Sequence, residues 1–238
     1  MTPLAAIAAA GTLAVAAQRL GWLTWGGTAM AVLVGSTVLT GGGAMGGIML
    51  GLFVVSGSVL TRWSERSGFV TDDVKGSTRD AMQVAANGLW AAVGALAISN
   101  APVLGWSALT GALAAAQADT WATEIGARSA ASPRLITTGR RVTRGASGGV
   151  TLLGSAGGTA GAILMALVGL GAGLSPGVLV GGAMGGIVGM HVDSLLGATV
   201  QAESGGRWTW CTNDVVNFAC TGTGAIVAMA VAWVWTVR

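Results

Sequence analysis

Long apolar runs alternate with short polar segments along the whole chain. Most runs have the length of about 17–25 residues that a helix needs to cross a membrane. Within each run the apolar residues are continuous rather than alternating, which favours helices over transmembrane strands. Eight transmembrane helices are therefore predicted, over 3–18, 22–40, 43–62, 81–99, 102–124, 149–172, 177–200 and 214–236.

The composition agrees with a chain that lies mostly in a membrane. Only 9% of the 238 residues are charged, whereas a soluble domain carries about a quarter. Gly accounts for 41 residues, many of them inside the apolar runs, as in closely packed membrane helices. The predicted fold class is all-α, a polytopic transmembrane helical bundle that forms one integral membrane domain over 1–238.

The N-terminus and the two cysteines have simple interpretations. The N-terminal run lacks the positively charged start of a secretory signal peptide, so we expect it to be retained. Cys211 and Cys220 fit neither a metal cluster nor a disulfide framework and are interpreted as small packing residues. Because the chain has no nucleic-acid-binding motif, nucleic acid is not an expected partner.

Basic residues lie almost entirely on one side of the predicted bundle. Eleven of the twelve lysines and arginines follow the first, third, fifth or seventh run, and only Arg238 lies on the other side. Loops rich in Lys and Arg face the cytoplasm. The loops after the odd-numbered runs are therefore predicted to be cytoplasmic, with both termini outside the cell membrane.

A short sequence repeats within the chain. "GGAMGGI" occurs at 42–48 and again at 181–187, and each copy opens a run directed towards the cytoplasm. This pattern favours two parallel four-span repeats, over 1–100 and 101–238. The alternative is that runs rich in Gly, Ala and Met resemble one another by chance.

Polar residues inside the apolar runs gather at the cytoplasmic ends of four runs. Ionisable groups in a membrane cost a few kcal/mol or more, so they are candidate functional residues. Their clustering predicts a polar cavity open to the cytoplasm. The residues are Asp80, Gln83 and Asn87; Asp119, Thr120, Thr123 and Glu124; His191, Asp193, Ser194 and Gln201; and Asn213, Asp214 and Asn217.

Carboxylates beside basic loops are typical of a site for a metal ion and a polyphosphate. Carboxylates hold Mg²⁺, which shares them with substrate phosphates, and arginines bind phosphate oxygens. The "RGASGG" turn at 144–149 leads directly into the sixth run, so its amides could bind a phosphate. Each part has a simpler alternative: Arg128 and Arg207 as topology signals or headgroup contacts, Gly148 and Gly149 as packing residues, and Asp119 as a helix cap.

Five ordered motifs resemble the phytyl-phosphate kinase family, which includes the plant chloroplast enzyme of vitamin E synthesis and transmembrane protein 19. The resemblance extends from about residue 40 to residue 230. The motifs are "QVAANG" (83–88), "ADTWATEIG" (118–126), "SPRLITTGRRVTRGASGGVTLLGS" (132–155), "VDSLLGATVQ" (192–201) and "NDVVNF" (213–218).

The resemblance implies a membrane-embedded kinase that converts a prenyl monophosphate to the diphosphate. The phosphoryl donor would be a nucleoside triphosphate, with CTP favoured and ATP as the alternative. Mg²⁺ would be held by Asp119 and Asp193, with Glu124 as a further candidate. Lys75 and Arg79 are expected to act as catalytic residues together with Asp119 and Asp193. The expected substrate- and nucleotide-binding residues are Gln83, Asn87, Arg140, Arg144, Gly145, Ser147, Gly148, Gly149, Asn213 and Asn217.

Two other functions remain open from the sequence. A cytidylyltransferase that makes a CDP-lipid would use a similar site, since its looser pattern matches Asp119 with Ala122, Ser132-Pro133 and Gly148-Gly149. A transporter would also explain parallel repeats and carboxylates within spans, although the polar groups cluster at one side of the membrane. The expected partners are the prenyl monophosphate and membrane lipids, and a homodimer is compatible with this assignment.

Overall fold

The computed structural model describes residues 1–68, 78–201 and 208–237. Within these ranges the chain is mostly helical, with a small two-stranded sheet between two of the helices. The helices are α1 Pro3–Arg19, α2 Trp25–Arg66, α3 Ala81–Ala97, α4 Pro102–Gly126, α5 Leu152–Val168, α6 Pro176–Thr199 and α7 Asn213–Thr236, with a 3₁₀ turn at Gly169–Ala172 after α5.

Helix α2 is 42 residues long and bends at Gly43. Gly43 has φ 58° and ψ −153°, a backbone conformation that is essentially restricted to glycine. A straight helix of this length would measure about 63 Å, twice the hydrocarbon thickness of a membrane. The bend falls at the boundary between the predicted runs 22–40 and 43–62, so the two halves of α2 correspond to two predicted spans.

Helix α4 lies at the centre of the bundle, and α2, α3, α5, α6 and α7 all pack against it. Its middle, from Ser107 to Ala118, is continuously buried and consists mostly of alanine and glycine. Small side chains allow neighbouring helix backbones to approach closely. The sequence of α4 therefore explains how one helix can contact five others.

Glycines bring α4, α6 and α7 into direct backbone contact along one seam. A methyl group at Gly185 of α6 would lie 2.3 Å from the carbonyl oxygen of Gly224 on α7. One turn along α6, a methyl group at Gly189 would lie 2.7 Å from both the carbonyl oxygen of Cys220 and the Cβ of Ala115. These contacts fix the three helices relative to one another next to the part of each helix that carries its polar residues.

The segment between α4 and α5 is folded on itself. Strands β1 (Arg134–Leu135) and β2 (Gly149–Val150) pair antiparallel, with Leu135 opposite Gly149. Ile136 N donates to Gly148 O at 2.9 Å, and Leu135 N donates to Arg140 O at 2.8 Å. These bonds hold the Gly-rich turn in a defined position before α5 begins.

The connecting segments at one end of the bundle contact one another. Thr24 N donates to Arg79 O at 3.1 Å, and Thr78 Oγ1 donates to Gly21 O at 3.0 Å. The chain ends at the opposite end, where a methyl group at Gly177 would lie 2.7 Å from the Cβ of Trp235. We call the end with the connecting segments the polar end; it comprises residues 20–24, 78–80, 127–151, 200–201 and 208–212.

The helical membrane class is confirmed, whereas the number of membrane crossings stays a prediction. The described helices overlap all eight predicted runs when the two halves of α2 are counted separately. By length and composition, α2, Leu152–Gly171, α6 and α7 are long and apolar enough to cross a membrane, and α3 is a shorter apolar helix. Eight crossings and the two four-span repeats are therefore retained as proposals.

Candidate functional site

Two aspartates lie side by side where the seam of α4 and α6 reaches the polar end. Asp119 is one turn beyond Ala115 on α4, and Asp193 is one turn beyond Gly189 on α6. Their side chains are partly buried, and their carboxyl groups are close enough to interact directly. The structure thus brings together the two residues predicted as the main metal ligands.

The aspartate pair has the chemistry to hold a divalent cation. Two adjacent carboxylates repel each other unless a cation or a proton lies between them. Oδ2 of Asp193 is buried and has no hydrogen-bond partner among the described residues. Mg²⁺ is commonly bound through one or two carboxylates together with substrate phosphates. In the described ranges, no group of three His, Cys, Asp or Glu side chains could hold a metal, so substrate and water would supply the other ligands.

Glu124, the further candidate ligand, is not brought together with the aspartate pair. It lies five residues beyond Asp119, which places it about 140° around the helix. There it faces α2, and Ser64 Oγ donates to the Glu124 carbonyl oxygen at 3.5 Å. The side chain is 5% exposed, and its Oε2 has no hydrogen-bond partner in the described part of the chain.

Arg128 joins the ends of α2 and α4, so it is more than the headgroup contact or topology signal expected from the sequence. Its Nη1 donates to Ser64 Oγ at 3.0 Å and to the Glu124 carbonyl oxygen. Its guanidinium carbon lies 3.3 Å from the centre of the Trp63 ring. A cation that binds the last carbonyls of a helix stabilises the helix end. The sequence signal for this contact is a basic residue just beyond the end of α4, where the last carbonyl oxygens of the helix accept hydrogen bonds.

The Gly-rich turn at 145–149 is docked on the last turns of α6. Gly148 has a φ of 75°, and a methyl group there would lie 2.4 Å from the Cβ of Ala198. A methyl group at Gly197 would lie 3.0 Å from the backbone nitrogen of Gly148. Because Gly197 is one helical turn beyond Asp193, the turn lies next to the helix face that carries the aspartate pair.

Two of the backbone amides predicted to bind a phosphate already donate hydrogen bonds within the turn. Gly149 N donates to Ala146 O at 2.9 Å, so this amide is not available to a phosphate. Ala146 N donates to Thr143 O at 3.3 Å. Among the described residues, the amides of the turn that donate to no backbone oxygen are those of Gly145, Ser147 and Gly148.

The arginines of the segment between α4 and α5 differ in what they contact. Arg134 Nη1 donates to Gly139 O at 2.8 Å, and Arg144 Nη1 donates to Ala127 O at 2.7 Å, beyond the last turn of α4. Arg140 is exposed, and no hydrogen bond of its side chain occurs within the described ranges. Of the two predicted nucleotide-binding arginines, Arg144 therefore also holds the loop, whereas Arg140 faces solvent.

Arg79 projects from the polar end into the space between α2 and α4. Its Nη1 lies 3.4 Å from Ser58 Oγ on α2. A methyl group at Gly57 would lie 2.9 Å from Arg79 Nη2 and 3.3 Å from Cγ2 of Thr120 on α4. Thr120 is the chain neighbour of Asp119, so the predicted catalytic arginine and the aspartate pair occupy adjacent sides of α4.

The predicted amide residues of α3 also stabilise the start of that helix. Asp80 Oδ1 accepts from Gln83 N at 2.9 Å, and Gln83 Oε1 accepts from Asp80 N at 3.0 Å, a reciprocal capping box. Asn87 Nδ2 donates to Gln83 O at 2.9 Å. Gln83 is buried, so its side chain has a structural role whether or not it binds substrate.

The predicted amide residues of α7 lie beside α6 and α3. Gln201 Nε2 lies 3.5 Å from Asn213 Oδ1, which links the end of α6 to the start of α7. Asn217 Nδ2 donates to Asn213 O at 3.0 Å, and one turn further Thr221 Oγ1 donates to Ala86 O of α3 at 2.8 Å. The start of α7 is thus fixed against both helices. Lys75 and Arg207 lie outside the described residues.

Sequence reasoning missed a polar junction deeper in the bundle. Gln117 of α4 is fully buried, and its Nε2 donates to Gly161 O of α5 at 2.9 Å. Trp121 Nε1 donates to Ser56 Oγ on α2 at 3.1 Å, and that hydroxyl lies 3.5 Å from Gln117 Oε1. A lone glutamine within the apolar run is the only sequence signal for this junction, which joins α2, α4 and α5.

The integral membrane protein family DUF92 has a family model that matches residues 8–225 of this chain. The chain belongs to this family. The match extends from within α1 into α7, and it therefore includes the aspartate pair, the Gly-rich turn and Arg79.

Two curated relatives share this membrane character. An uncharacterized membrane protein of Synechocystis sp. is 30% identical over 191 residues, which cover 77% of this chain and 72% of that protein. An uncharacterized membrane protein of Methanocaldococcus jannaschii is 33% identical over 119 residues, which cover 50% of this chain and 48% of that protein. No solved structure matches the chain. Membership in the DUF92 family makes the chain an integral membrane protein.

Proposed function

We propose that this DUF92 protein is a Mg²⁺-dependent lipid-phosphate kinase that converts a prenyl monophosphate to the diphosphate. The phosphoryl donor is a nucleoside triphosphate, with CTP favoured over ATP. The observation that carries the proposal is the pairing of Asp119 with Asp193 beside the docked Gly-rich turn. Paired carboxylates next to backbone amides and arginines provide the parts that phosphoryl transfer requires.

The residues around the pair divide between those that hold the metal ion and those that bind the phosphoryl donor. Asp119 and Asp193 hold Mg²⁺, which when bound neutralises charge on the transferring phosphates. The amides of Gly145, Ser147 and Gly148 bind phosphate oxygens of the donor. Arg140 adds a positive charge from the loop, and Arg144 adds one beside α4. Positioning and charge neutralisation account for most of the catalysis of phosphoryl transfer.

The acceptor needs little activation by the protein. The second pKa of a phosphate monoester is about 6, so the lipid monophosphate is already an anionic nucleophile at neutral pH. One of its oxygens attacks the terminal phosphorus of the nucleotide, and the bond from that phosphorus to the bridging oxygen breaks. The nucleoside diphosphate leaves with the electrons of that bond. No side chain is required as a strong general base.

A membrane location suits the lipid substrate. The helices leave many large apolar side chains exposed on their outer surface, where the hydrocarbon of the membrane contacts them. A prenyl tail can remain in this environment while its phosphate reaches the polar end. The proposal therefore requires the aspartate pair to face the cytoplasm, where the nucleotide is found.

A turnover assay tests the proposal. Purified protein is incubated with Mg²⁺, a series of prenyl monophosphates and each nucleoside triphosphate, and the products are identified by mass. A prenyl diphosphate together with a nucleoside diphosphate supports the kinase. A CDP-lipid together with pyrophosphate would instead identify a cytidylyltransferase, and the absence of any new lipid product with every nucleotide would exclude both.

A further inference from the structure

We propose that Arg79 binds the phosphate group of the lipid acceptor, separately from the loop residues that bind the nucleotide. This inference rests on the proposed function and assigns one cation of the site to one substrate. Three observations carry it: the fixed backbone of Arg79, the depth of its guanidinium within the helices, and the space that Gly57 leaves for that guanidinium.

The backbone of Arg79 is held on both sides by the segment before α2. Arg79 N donates to Trp22 O at 2.9 Å, and Thr24 N donates to Arg79 O at 3.1 Å. A methyl group at Gly27 would lie 2.3 Å from Arg79 O, so this glycine allows the close approach. The capping box that starts α3 follows immediately. A cation on such a fixed backbone is preorganised for binding, unlike a cation on an exposed loop.

The guanidinium lies within the helices rather than beyond their ends. It contacts Ser58 and lies 5.4 Å from the centre of the Phe53 ring. Ser58 is about 12 Å along the axis of α2 from its last residue, Arg66. Arg140, in contrast, belongs to the exposed segment beyond the end of α4. A lipid phosphate enters from the membrane and a nucleotide from water, so the deeper cation suits the lipid.

Gly57 determines where the guanidinium can lie. A methyl group at Gly57 would be 2.9 Å from Arg79 Nη2, closer than real side chains approach, so the guanidinium would have to move. A guanidinium has five N–H donors in a planar fork that matches phosphate oxygens. The position of Gly57 therefore allows Arg79 to direct its fork past α2, on the side of α4 where Thr120 lies.

Binding without nucleotide tests this assignment independently of turnover. Affinities for farnesyl monophosphate, farnesol, inorganic phosphate and CTP are measured on detergent-purified parent, Arg79→Gln, Arg79→Lys and Arg140→Gln proteins. We expect Arg79→Gln to weaken monophosphate binding by about tenfold or more, because a charge-assisted contact is lost. Arg79→Lys should bind between parent and Arg79→Gln, since it keeps the charge but not the fork. Farnesol and CTP binding should be unchanged by Arg79→Gln, and CTP binding should be weakened by Arg140→Gln.

A pair of glycine variants on α2 provides a second, milder test. Gly57→Ala should weaken monophosphate binding several-fold, because its methyl group displaces the guanidinium. Gly51→Ala is the matched control: apart from the chain neighbours and the backbone of its own helix, no atom lies within 4 Å of the position that its methyl group would take. We expect it to bind as the parent does.

Each result decides whether Arg79 binds the lipid phosphate. Equal losses of farnesol and monophosphate affinity in Arg79→Gln would mean that the arginine only holds the helices together, and would overturn the inference. Monophosphate affinity within twofold of the parent, or a parent that binds monophosphate no better than farnesol or inorganic phosphate, would overturn it as well. Arg79-dependent binding of the monophosphate without turnover would support phosphate binding by Arg79 and exclude the proposed kinase activity.

Discussion

Gly148 and Ala198 are so close that a methyl group at Gly148 would lie 2.4 Å from the Ala198 Cβ. This contact joins the Gly-rich turn to the helix that carries Asp193, five residues before Ala198. The backbone at Gly148 also has a φ of 75°, which residues with a Cβ rarely adopt. The position of the turn relative to the aspartate pair therefore depends on glycine at this residue for two separate reasons.

Gly148→Ala should displace the turn and reduce turnover by about tenfold or more, because the donor phosphates would be misplaced relative to the aspartates. Gly139→Ala is the matched control. Gly139 has a φ of 69°, yet apart from its chain neighbours its methyl group would meet no atom within 4 Å. That variant should pay only the backbone strain of about 1–2 kcal/mol. Steady-state kinetics and thermal unfolding of both variants distinguish displacement from strain; equal activities would show that docking on α6 is unimportant.

The hydropathy pattern predicted the helical elements well because membrane helices must satisfy their backbone hydrogen bonds internally. The run 22–40 and the run 43–62 became the two halves of α2, and the bend between them falls at the glycine-rich boundary. Asp119 and Asp193 could be singled out because carboxylates are rare in apolar runs. Their proximity could be expected only from their similar depth, and the structure supplies the seam that produces it.

The parts that the sequence did not predict depend on rotation around helices and on contacts between distant segments. Glu124 has the right depth for the metal site, but it lies on the face of α4 that packs against α2. Arg128 resembles a topology signal until Trp63 and Ser64 are seen beside it. The depth of a residue in the membrane can be estimated by counting residues along its helix. The helix that its side chain contacts is set by tertiary packing.

Arg128→Ala should lower the stability of the protein with little effect on nucleotide binding. The variant loses hydrogen bonds to Ser64 and the Glu124 carbonyl and the contact with the Trp63 ring, a cost of about 2 kcal/mol. Arg144→Ala should instead raise the KM for nucleotide more than Arg128→Ala does. Thermal unfolding and nucleotide titrations of the two variants check this; a larger KM effect from Arg128→Ala would place that arginine in the nucleotide site.

Reporter fusions test which end of the bundle faces the cytoplasm. Eleven of the twelve lysines and arginines follow odd-numbered predicted runs, and the structure gathers the described connecting segments that carry them at the polar end. A reporter inserted between Ser129 and Thr138 should behave as cytoplasmic, and one fused at the C-terminus as external. The prediction places three crossings between the two positions. Cytoplasmic behaviour of both reporters would mean that the number of crossings between them is even and would require a revised topology.

Asp119→Asn and Asp193→Asn should each reduce turnover by more than about 100-fold while the protein stays folded and inserted in the membrane. Asn retains the shape of the side chain and one acceptor oxygen but removes the charge that Mg²⁺ requires. Neutralising a carboxylate among apolar helices should ease insertion rather than hinder it, and it also removes the repulsion between the paired groups.

Stability measurements separate this catalytic role from a structural one. Both variants should unfold at temperatures at least as high as the parent, and both should lose the Mg²⁺-dependent stabilisation by nucleotide that a bound ligand gives. Asp80→Asn is the matched control, because Asn caps a helix as well as Asp does, and it should keep turnover within a few-fold of the parent. An aspartate whose Asn variant remains active but melts earlier would be a structural residue, and that outcome at both Asp119 and Asp193 would rule out the proposed mechanism.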